Sequence, residues 1–209
     1  SGRVSTSDEV QLAEIVKAFD EINSDSMTPQ AAAAIIESAR LPWEAVPDAL
    51  LNEPLVLEAL LPHMGATALL RQLPRFARAG LTEGSFGGSA IAAKLTDLEF
   101  IKRGRLHPYN VLVAQMTYAS GKSLKGSSEW TPSRKIIEAL EDTFELSFQA
   151  IEPAGKNTGV FLDVSGSMGW SNIANSPITP RVGSAAMAMA TVRSEPNVVV
   201  GAFTGGAYH

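Results

Sequence analysis

The stretch Thr158-Gly159-Val160-Phe161-Leu162-Asp163-Val164-Ser165-Gly166-Ser167-Met168 decides the fold class of this chain of 209 residues. Residues 158–164 form a short continuous apolar run of the kind that is buried in a parallel sheet. A loop rich in Gly, Ser and Asn follows, then an apolar helix at 182–191 and a second apolar run at 198–203. This order of strand, helix and strand predicts an α/β domain. The Ser-Pro and Thr-Pro pairs within 172–180 predict a flexible surface insertion.

The polar residues at the end of the first predicted strand suggest a metal site. Asp163, Ser165 and Ser167 are spaced as Asp-x-Ser-x-Ser, which turns one carboxylate and two hydroxyls toward a common point. In an open α/β sheet, ligands bind just beyond the carboxyl ends of the strands. Three hard oxygens suit Mg²⁺ or Mn²⁺, which prefer octahedral oxygen ligands and keep several waters. The alternative is a turn in which Asp163 only caps the helix that follows.

Two catalytic interpretations fit the sequence less well. A nucleophile elbow requires Gly-x-Ser-x-Gly, but the chain has Ser165 where the first glycine should stand before Ser167. The segment Ser120-Gly121-Lys122-Ser123 is similar to the end of a phosphate-binding P-loop, yet Met116 replaces its first glycine and a predicted helix precedes it. We therefore favour neither catalytic interpretation.

The residues before Gly155 predict only helices. Thr6 and Glu9 form a capping box for the first helix, and Thr28-Pro29 opens the second. Further helices are predicted at 66–79, 90–101, 108–119 and from 131 to about 150, with a loop at 84–88. Helices of this length joined by short loops are typical of an α-solenoid of HEAT-like pairs. We place a domain boundary near Gly155, between a helical module at 1–155 and an α/β domain at 156–209.

Composition excludes several classes of protein. With 45% hydrophobic residues the chain can form a packed core, and with no cysteine it has neither disulfides nor a thiolate metal site. No apolar run approaches the ~20 residues of a membrane-spanning helix. We expect a soluble, intracellular protein.

Charge is distributed unevenly along the chain. Residues 71–125 contain nine basic and three acidic residues, a local charge of +6, whereas the remainder carries −11. Such a segment can offer a phosphate-binding face, because salt confines each charge to roughly 8 Å. The alternative is an ordinary set of solvated helix surfaces.

Several uncommon short sequence motifs occur in a characteristic order along the chain. These are the segments 66–73, 105–110, 118–126, Trp130-Thr131-Pro132, 152–156 and the Asp-x-Ser-x-Ser motif. Together they resemble the Ro ribonucleoprotein family, whose helical TROVE module precedes a von Willebrand factor A domain. The motif itself resembles the metal-ion-dependent adhesion site of that domain. The likeness covers roughly residues 41–203.

The resemblance implies a ring of HEAT-like helices followed by a Rossmann-like von Willebrand A domain. Family members bind small noncoding Y RNAs and the single-stranded ends of misfolded RNAs, and they act as RNA quality-control adaptors for exonucleases in the cytoplasm rather than as catalysts. We expect no binding to DNA or membranes. The candidate RNA-binding residues are Arg71, Lys102, Arg103, Arg105, His107, Lys122 and Lys125. His107 either contacts RNA or caps the helix that starts at Pro108.

The chain departs from the family pattern in its extent. The later loops that supply a threonine and a further acidic ligand to such a metal site have no counterpart in these residues, so we expect weak metal affinity. Two strands and one helix also make an incomplete sheet. We therefore expect a partial chain, or one whose missing strands are supplied by a second polypeptide. The alternative function is a metal-dependent protein-interaction module on a helical scaffold, without RNA binding.

Overall fold

The computed structural model describes residues 6–24, 26–82, 84, 86–174 and 176–205, with side chains described from Leu12 onward. The chain divides into two compact units, Ser1–Gly87 and Gly88–His209. The second unit contains helices as well as the strand-helix-strand segment, so the change near Gly155 lies inside it. The combination of helices with a parallel sheet confirms the predicted α plus α/β class.

The described part of the first unit is helical. Its α-helices are α1 (Thr6–Ile22), α2 (Pro29–Ala39), α3 (Pro54–Leu60) and α4 (Ala66–Arg78). The Thr28 hydroxyl accepts a hydrogen bond from the Ala31 amide at 3.2 Å, which confirms the predicted cap of α2. The capping box at the start of α1 depends on side chains outside the described part of the structure. Fully buried apolar side chains from α2 to α4 form the core, among them Ile36, Val56, Leu69, Leu73 and Phe76.

The remaining helices are α5 (Phe86–Leu95), α6 (Leu98–Arg103), α7 (Pro108–Ala119), α8 (Arg134–Ser147) and α9 (Pro180–Ser194). The single helix predicted over 90–101 is wrong, because Asp97 starts a new helix by accepting from the amides of Glu99 and Phe100. The predicted loop at 84–88 is wrong too, since α5 begins at Phe86. The long helix predicted from 131 starts later, and a short 3-10 helix, Phe148–Ala150, follows it.

Three helices end in a Schellman motif with one left-handed residue. That residue is Gly80 after α4, Arg40 after α2 and Arg105 after α6, with φ of 74°, 51° and 47°. In each case the next residue's amide donates to the carbonyl oxygen five residues earlier, at 2.9, 3.3 and 3.2 Å in that order. The predicted stop at Gly80 is confirmed. The other two ends are unusual because a left-handed backbone favours glycine.

The sheet has two parallel strands among the described residues, β1 (Asn157–Asp163) and β2 (Asn197–Phe203). Asn157 pairs with Asn197 and Asp163 with Phe203, so the register is unbroken. Helix α9 connects the strands and packs against β1. The Glu195 carboxylate, just after α9, accepts from the Ala154 and Gly155 amides at 2.6 and 3.0 Å and fixes the entry to β1.

One face of this sheet is apolar and exposed. Phe161 and Val199 are 67% and 68% exposed, and Phe203 lies on the same face. The Phe161 ring crosses to the neighbouring strand, where a Cβ on Gly201 would lie 2.7 Å from it. Glycine is therefore required opposite Phe161 in this arrangement.

The loop between the metal motif and α9 makes contacts of its own, and its flexibility stays a prediction. Ile178 is fully buried, and its carbonyl oxygen accepts from the Ile173 amide at 2.8 Å. Ile173 also packs against Gly183 in α9. None of the described helices is both long and apolar enough to span a membrane.

Candidate metal and nucleic-acid sites

The Asp-x-Ser-x-Ser motif begins at the last residue of β1 and continues into a short 3-10 helix, Gly166–Gly169. The Asp163 carboxylate accepts from the Ser165 amide at 2.9 Å, which closes a tight turn. The amide of Val164 donates to the Phe203 carbonyl oxygen at 2.9 Å and extends the pairing of the strands by one residue beyond β1. The motif thus lies at the carboxyl edge of the sheet, as the sequence predicts.

The three predicted ligands form a cluster of oxygens. The hydroxyl oxygens of Ser165 and Ser167 are 3.1 Å apart. Hydrogen bonds from Ser165 to the Asp163 carboxylate lower the pKa of Asp163 below its usual value. The bond from the Ser165 amide has the larger effect and the bond from the Ser165 hydroxyl the smaller one. The carboxyl group is therefore ionised at neutral pH, the form that binds a cation.

This donor set fits a hard divalent ion, although it supplies only part of an octahedral shell. One carboxylate and two hydroxyls are the oxygen ligands that Mg²⁺ and Mn²⁺ accept. Among the described residues, no group of three or more His, Cys, Asp and Glu side chains comes together. An ion at this place would therefore take its remaining ligands from water or from a partner. The alternative role for Asp163, as a cap of the helix that follows, is wrong: Ser165 is the N-cap of the 3-10 helix and no side chain caps it, while the Asp163 carboxylate accepts from the Ser165 amide before the helix begins.

Arg181 is a residue beside this motif that sequence reasoning missed. Its guanidinium donates to the Ser165 carbonyl oxygen at 3.1 Å and lies against Gly169. It comes from the first turn of α9, which Thr179 caps by accepting from the Val182 amide. Nothing in the spacing of the sequence indicates this contact, because sixteen residues separate Arg181 from Ser165.

The predicted RNA-binding residues fall at several places. Arg71 is exposed on α4 in the first compact unit. In the second unit, Lys102 and Arg103 occupy the last turn of α6, and Arg105 follows in the left-handed position. The structure brings Lys102 and Arg105 together in the lining of one cavity of about 470 Å³.

Lys122 and Lys125 lie in the loop between α7 and α8. The backbones of Lys122 and Glu129 form an isolated antiparallel β-bridge that closes the loop. The Ser123 amide also donates a 2.8 Å hydrogen bond to the Ser128 carbonyl oxygen. Because this loop follows a helix rather than a strand, its Gly-Lys-Ser segment is not a P-loop. Both lysines are exposed.

The base of this loop is fixed by an aromatic pair. The Trp130 indole N–H donates to the Tyr118 backbone carbonyl oxygen at 2.8 Å, and the Tyr118 phenol oxygen accepts from the Ser133 amide at 3.0 Å. Gly121 has φ of 67°, and a Cβ there would lie 3.0 Å from the Trp130 carbonyl oxygen. The segments 118–126 and 130–132, which carry part of the family resemblance, therefore determine the shape of this loop.

His107 caps α7. Its Nδ1 accepts from the Tyr109 amide at 3.2 Å, and Pro108 occupies the first helical position. Of the two roles considered for this residue, the structure displays the cap. The contact with RNA stays a prediction.

Comparison with known proteins agrees with the resemblance in the sequence. The TROVE domain model matches residues 38–116, and the Ro60 vWA domain model matches residues 158–209. "RNA-binding protein RO60" of Deinococcus radiodurans is 36% identical over 183 residues, covering 86% of this chain and 34% of that protein. Its Caenorhabditis elegans namesake is 34% identical over 190 residues, covering 90% of this chain and 29% of the relative.

A solved structure is similar along nearly the whole chain. The crystal structure of the Deinococcus radiodurans RO (RSR) protein matches with a TM-score of 0.79 and 34% identity. The match covers 97% of this chain and 40% of that one. The chain thus spans about a third of the length of the curated relatives that it matches.

Proposed function

We propose that this chain binds single-stranded regions of RNA. The chain belongs to the Ro60 family, as a partial, Ro60-like chain with TROVE and vWA segments. Both of these relatives are named RNA-binding proteins. The observation that carries the proposal is the placement of cationic side chains: Lys102, Arg105, Lys122 and Lys125 are all exposed in one compact unit of a chain whose net charge is negative.

Salt dependence of RNA affinity tests this proposal. Each phosphate contact contributes about 0.7 to the slope of log affinity against log salt for single strands. The double substitution Lys122→Gln with Lys125→Gln should lower that slope by about 1.4. The matched control is Lys17→Gln with Arg40→Gln, which removes the same charge elsewhere. Absence of any salt-dependent binding of single-stranded RNA to the unsubstituted chain would refute the proposal.

The finer assignments follow from the family resemblance. We propose that the RNAs are small noncoding Y RNAs and the ends of misfolded RNAs, that the protein works in cytoplasmic RNA quality control with an exonuclease as partner, and that it does not itself catalyse a reaction. We further propose a second polypeptide as a partner that packs on the vWA sheet, because one face of this sheet is apolar and exposed among the described residues.

We also propose that Asp163, Ser165 and Ser167 hold Mg²⁺ or Mn²⁺. When bound, the ion supplies a positive centre that accepts an oxygen ligand from a partner. The hydrogen-bonded, ionised Asp163 and the 3.1 Å separation of the two hydroxyls support this assignment. Titration of free Mn²⁺ followed by electron paramagnetic resonance tests it. Asp163→Asn should weaken binding at least about tenfold, whereas Asp142→Asn on the exposed surface of α8 should leave it unchanged.

A second function, metal-dependent protein interaction, is favoured by one observation. Trp170 comes directly after the 3-10 helix Gly166–Gly169 and is 85% exposed. Exposed tryptophans often anchor protein interfaces. A chelator distinguishes the two functions. It should abolish partner binding if the metal bridges two proteins, and it should leave RNA affinity nearly unchanged if the basic residues bind RNA.

A further inference from the structure

The cavity shared by Lys102 and Arg105 combines groups of different chemistry. Its volume is about 470 Å³, within the range of small-ligand sites of about 300–1,000 Å³. Besides the two cations it is lined by Gln149, Ala150, Ile151 and Glu152. The two sides come from segments more than forty residues apart, so the fold rather than the local sequence assembles them.

The cationic side is held in place by an unusual backbone. Arg105 occupies the left-handed position of a Schellman motif, where Gly80 closes the equivalent motif of α4. Arg40 after α2 has the same left-handed conformation, so the conformation alone does not mark a functional residue. Arg105 differs from Arg40 because it lines this cavity. The motif directs Arg105 toward the cavity that Lys102 also lines, and the Lys102 ammonium is in addition 3.8 Å from the Glu99 carboxylate.

The segment 149–152 contributes a carboxylate, an amide and a small apolar surface to the same lining. Glu152 and Gln149 are exposed, whereas Ala150 and Ile151 are half-buried. A carboxylate accepts two parallel hydrogen bonds when a ligand presents two adjacent N–H groups. Among the RNA bases, guanine presents such a pair, N1–H and N2–H, on the Watson–Crick edge that proteins read in single strands.

We propose that this cavity is a nucleotide pocket that takes one guanosine of single-stranded RNA. Lys102 and Arg105 bind the phosphate, Ala150 and Ile151 contact the base, and Glu152 accepts from its N1–H and N2–H, with Gln149 at the rim. The pocket deepens the proposed RNA-binding function and rests on it. The lining therefore combines two cations for a phosphate with one carboxylate for a base.

Fluorescence anisotropy with the full chain tests the pocket. The probes are labelled eight-residue oligouridines that carry G, A, C or U at one central position. The G-containing probe should bind about tenfold more tightly than the other three. Glu152→Gln should remove this preference, so that the four probes bind with equal affinity. Arg105→Gln and Lys102→Gln should weaken all four probes and lower the salt slope by about 0.7 each.

The control and the outcomes separate the pocket from the general function. Arg40→Gln removes an equal charge from the equivalent left-handed position of α2 and should change nothing. Equal affinity for the four probes, or a preference that survives Glu152→Gln, would overturn the pocket while RNA binding stands. Failure of the unsubstituted chain to bind any probe would overturn the RNA-binding function together with the pocket. Circular dichroism melting of each variant excludes unfolding as the cause of a loss.

Discussion

Replacing Arg105 with glycine should make the protein more stable and at the same time weaken its RNA binding. Arg105 has φ of 47° in the Schellman motif that ends α6. A left-handed conformation costs a residue with a Cβ about 1–2 kcal/mol. Glycine avoids this cost, but its greater freedom in the unfolded chain offsets about 0.5–1 kcal/mol of the gain. The middle of the two ranges gives an expected net stabilisation by Arg105→Gly of about 0.5–1 kcal/mol.

Urea unfolding followed by fluorescence and circular dichroism measures this gain. For a protein of this size, the same change corresponds to an increase in Tm of about 1–4 °C. Arg105→Ala is the control for the backbone, because it removes the guanidinium and keeps the Cβ. If Arg105→Gly proves no more stable than Arg105→Ala, the explanation by backbone strain is refuted.

Arg40→Gly is the control for the charge. Arg40 has φ of 51° at the end of α2, so its replacement should give a similar gain in stability. It does not line the nucleotide pocket, so RNA affinity should stay the same. An equal loss of RNA affinity in both glycine variants would mean that net charge, and not the pocket, determines binding.

Three other perturbations test the structure. Tyr118→Phe should lower the free energy of unfolding by about 1–3 kcal/mol in urea titration, because the buried Ser133 amide loses its acceptor. Gly201→Ala should destabilise the protein because its Cβ would lie 2.7 Å from the Phe161 ring, and thermal melts should show a much smaller effect in a Phe161→Ala background. Burial, and then a neighbouring guanidinium, lowers the pKa of Lys94, so in NMR titration of dimethylated lysines its signal should change at lower pH than those of exposed lysines; coincident titration would contradict this.

The parts of the fold that the sequence predicts well are those that local patterns determine. The strand ending at Asp163, the oxygen cluster after it and the stop at Gly80 each depend on adjacent residues, and the structure contains them. The break between α5 and α6 also has a local signal, because Asp97 is a typical N-cap residue. The apolar pattern nevertheless predicts one helix there, because it runs through Asp97 without interruption.

The rest depends on contacts between distant segments. Arg181 reaches the Ser165 carbonyl oxygen across sixteen residues, and Glu195 reaches the Ala154 amide across forty-one. The cavity near Arg105 needs the chain at 149–152 to return to the end of α6. A left-handed residue that is not glycine has no sequence signal either, so the turn at Arg105 was visible only in the structure.

The exposed sheet face also determines how the isolated chain behaves at high concentration. Two short parallel strands leave a free edge on each side within the described residues, and Phe161 and Val199 add an apolar surface next to those edges. Free edges beside apolar side chains are sites at which chains pair with one another and aggregate. The chain should therefore precipitate at high concentration. Val199→Lys should delay precipitation without changing the parallel pairing of β1 with β2.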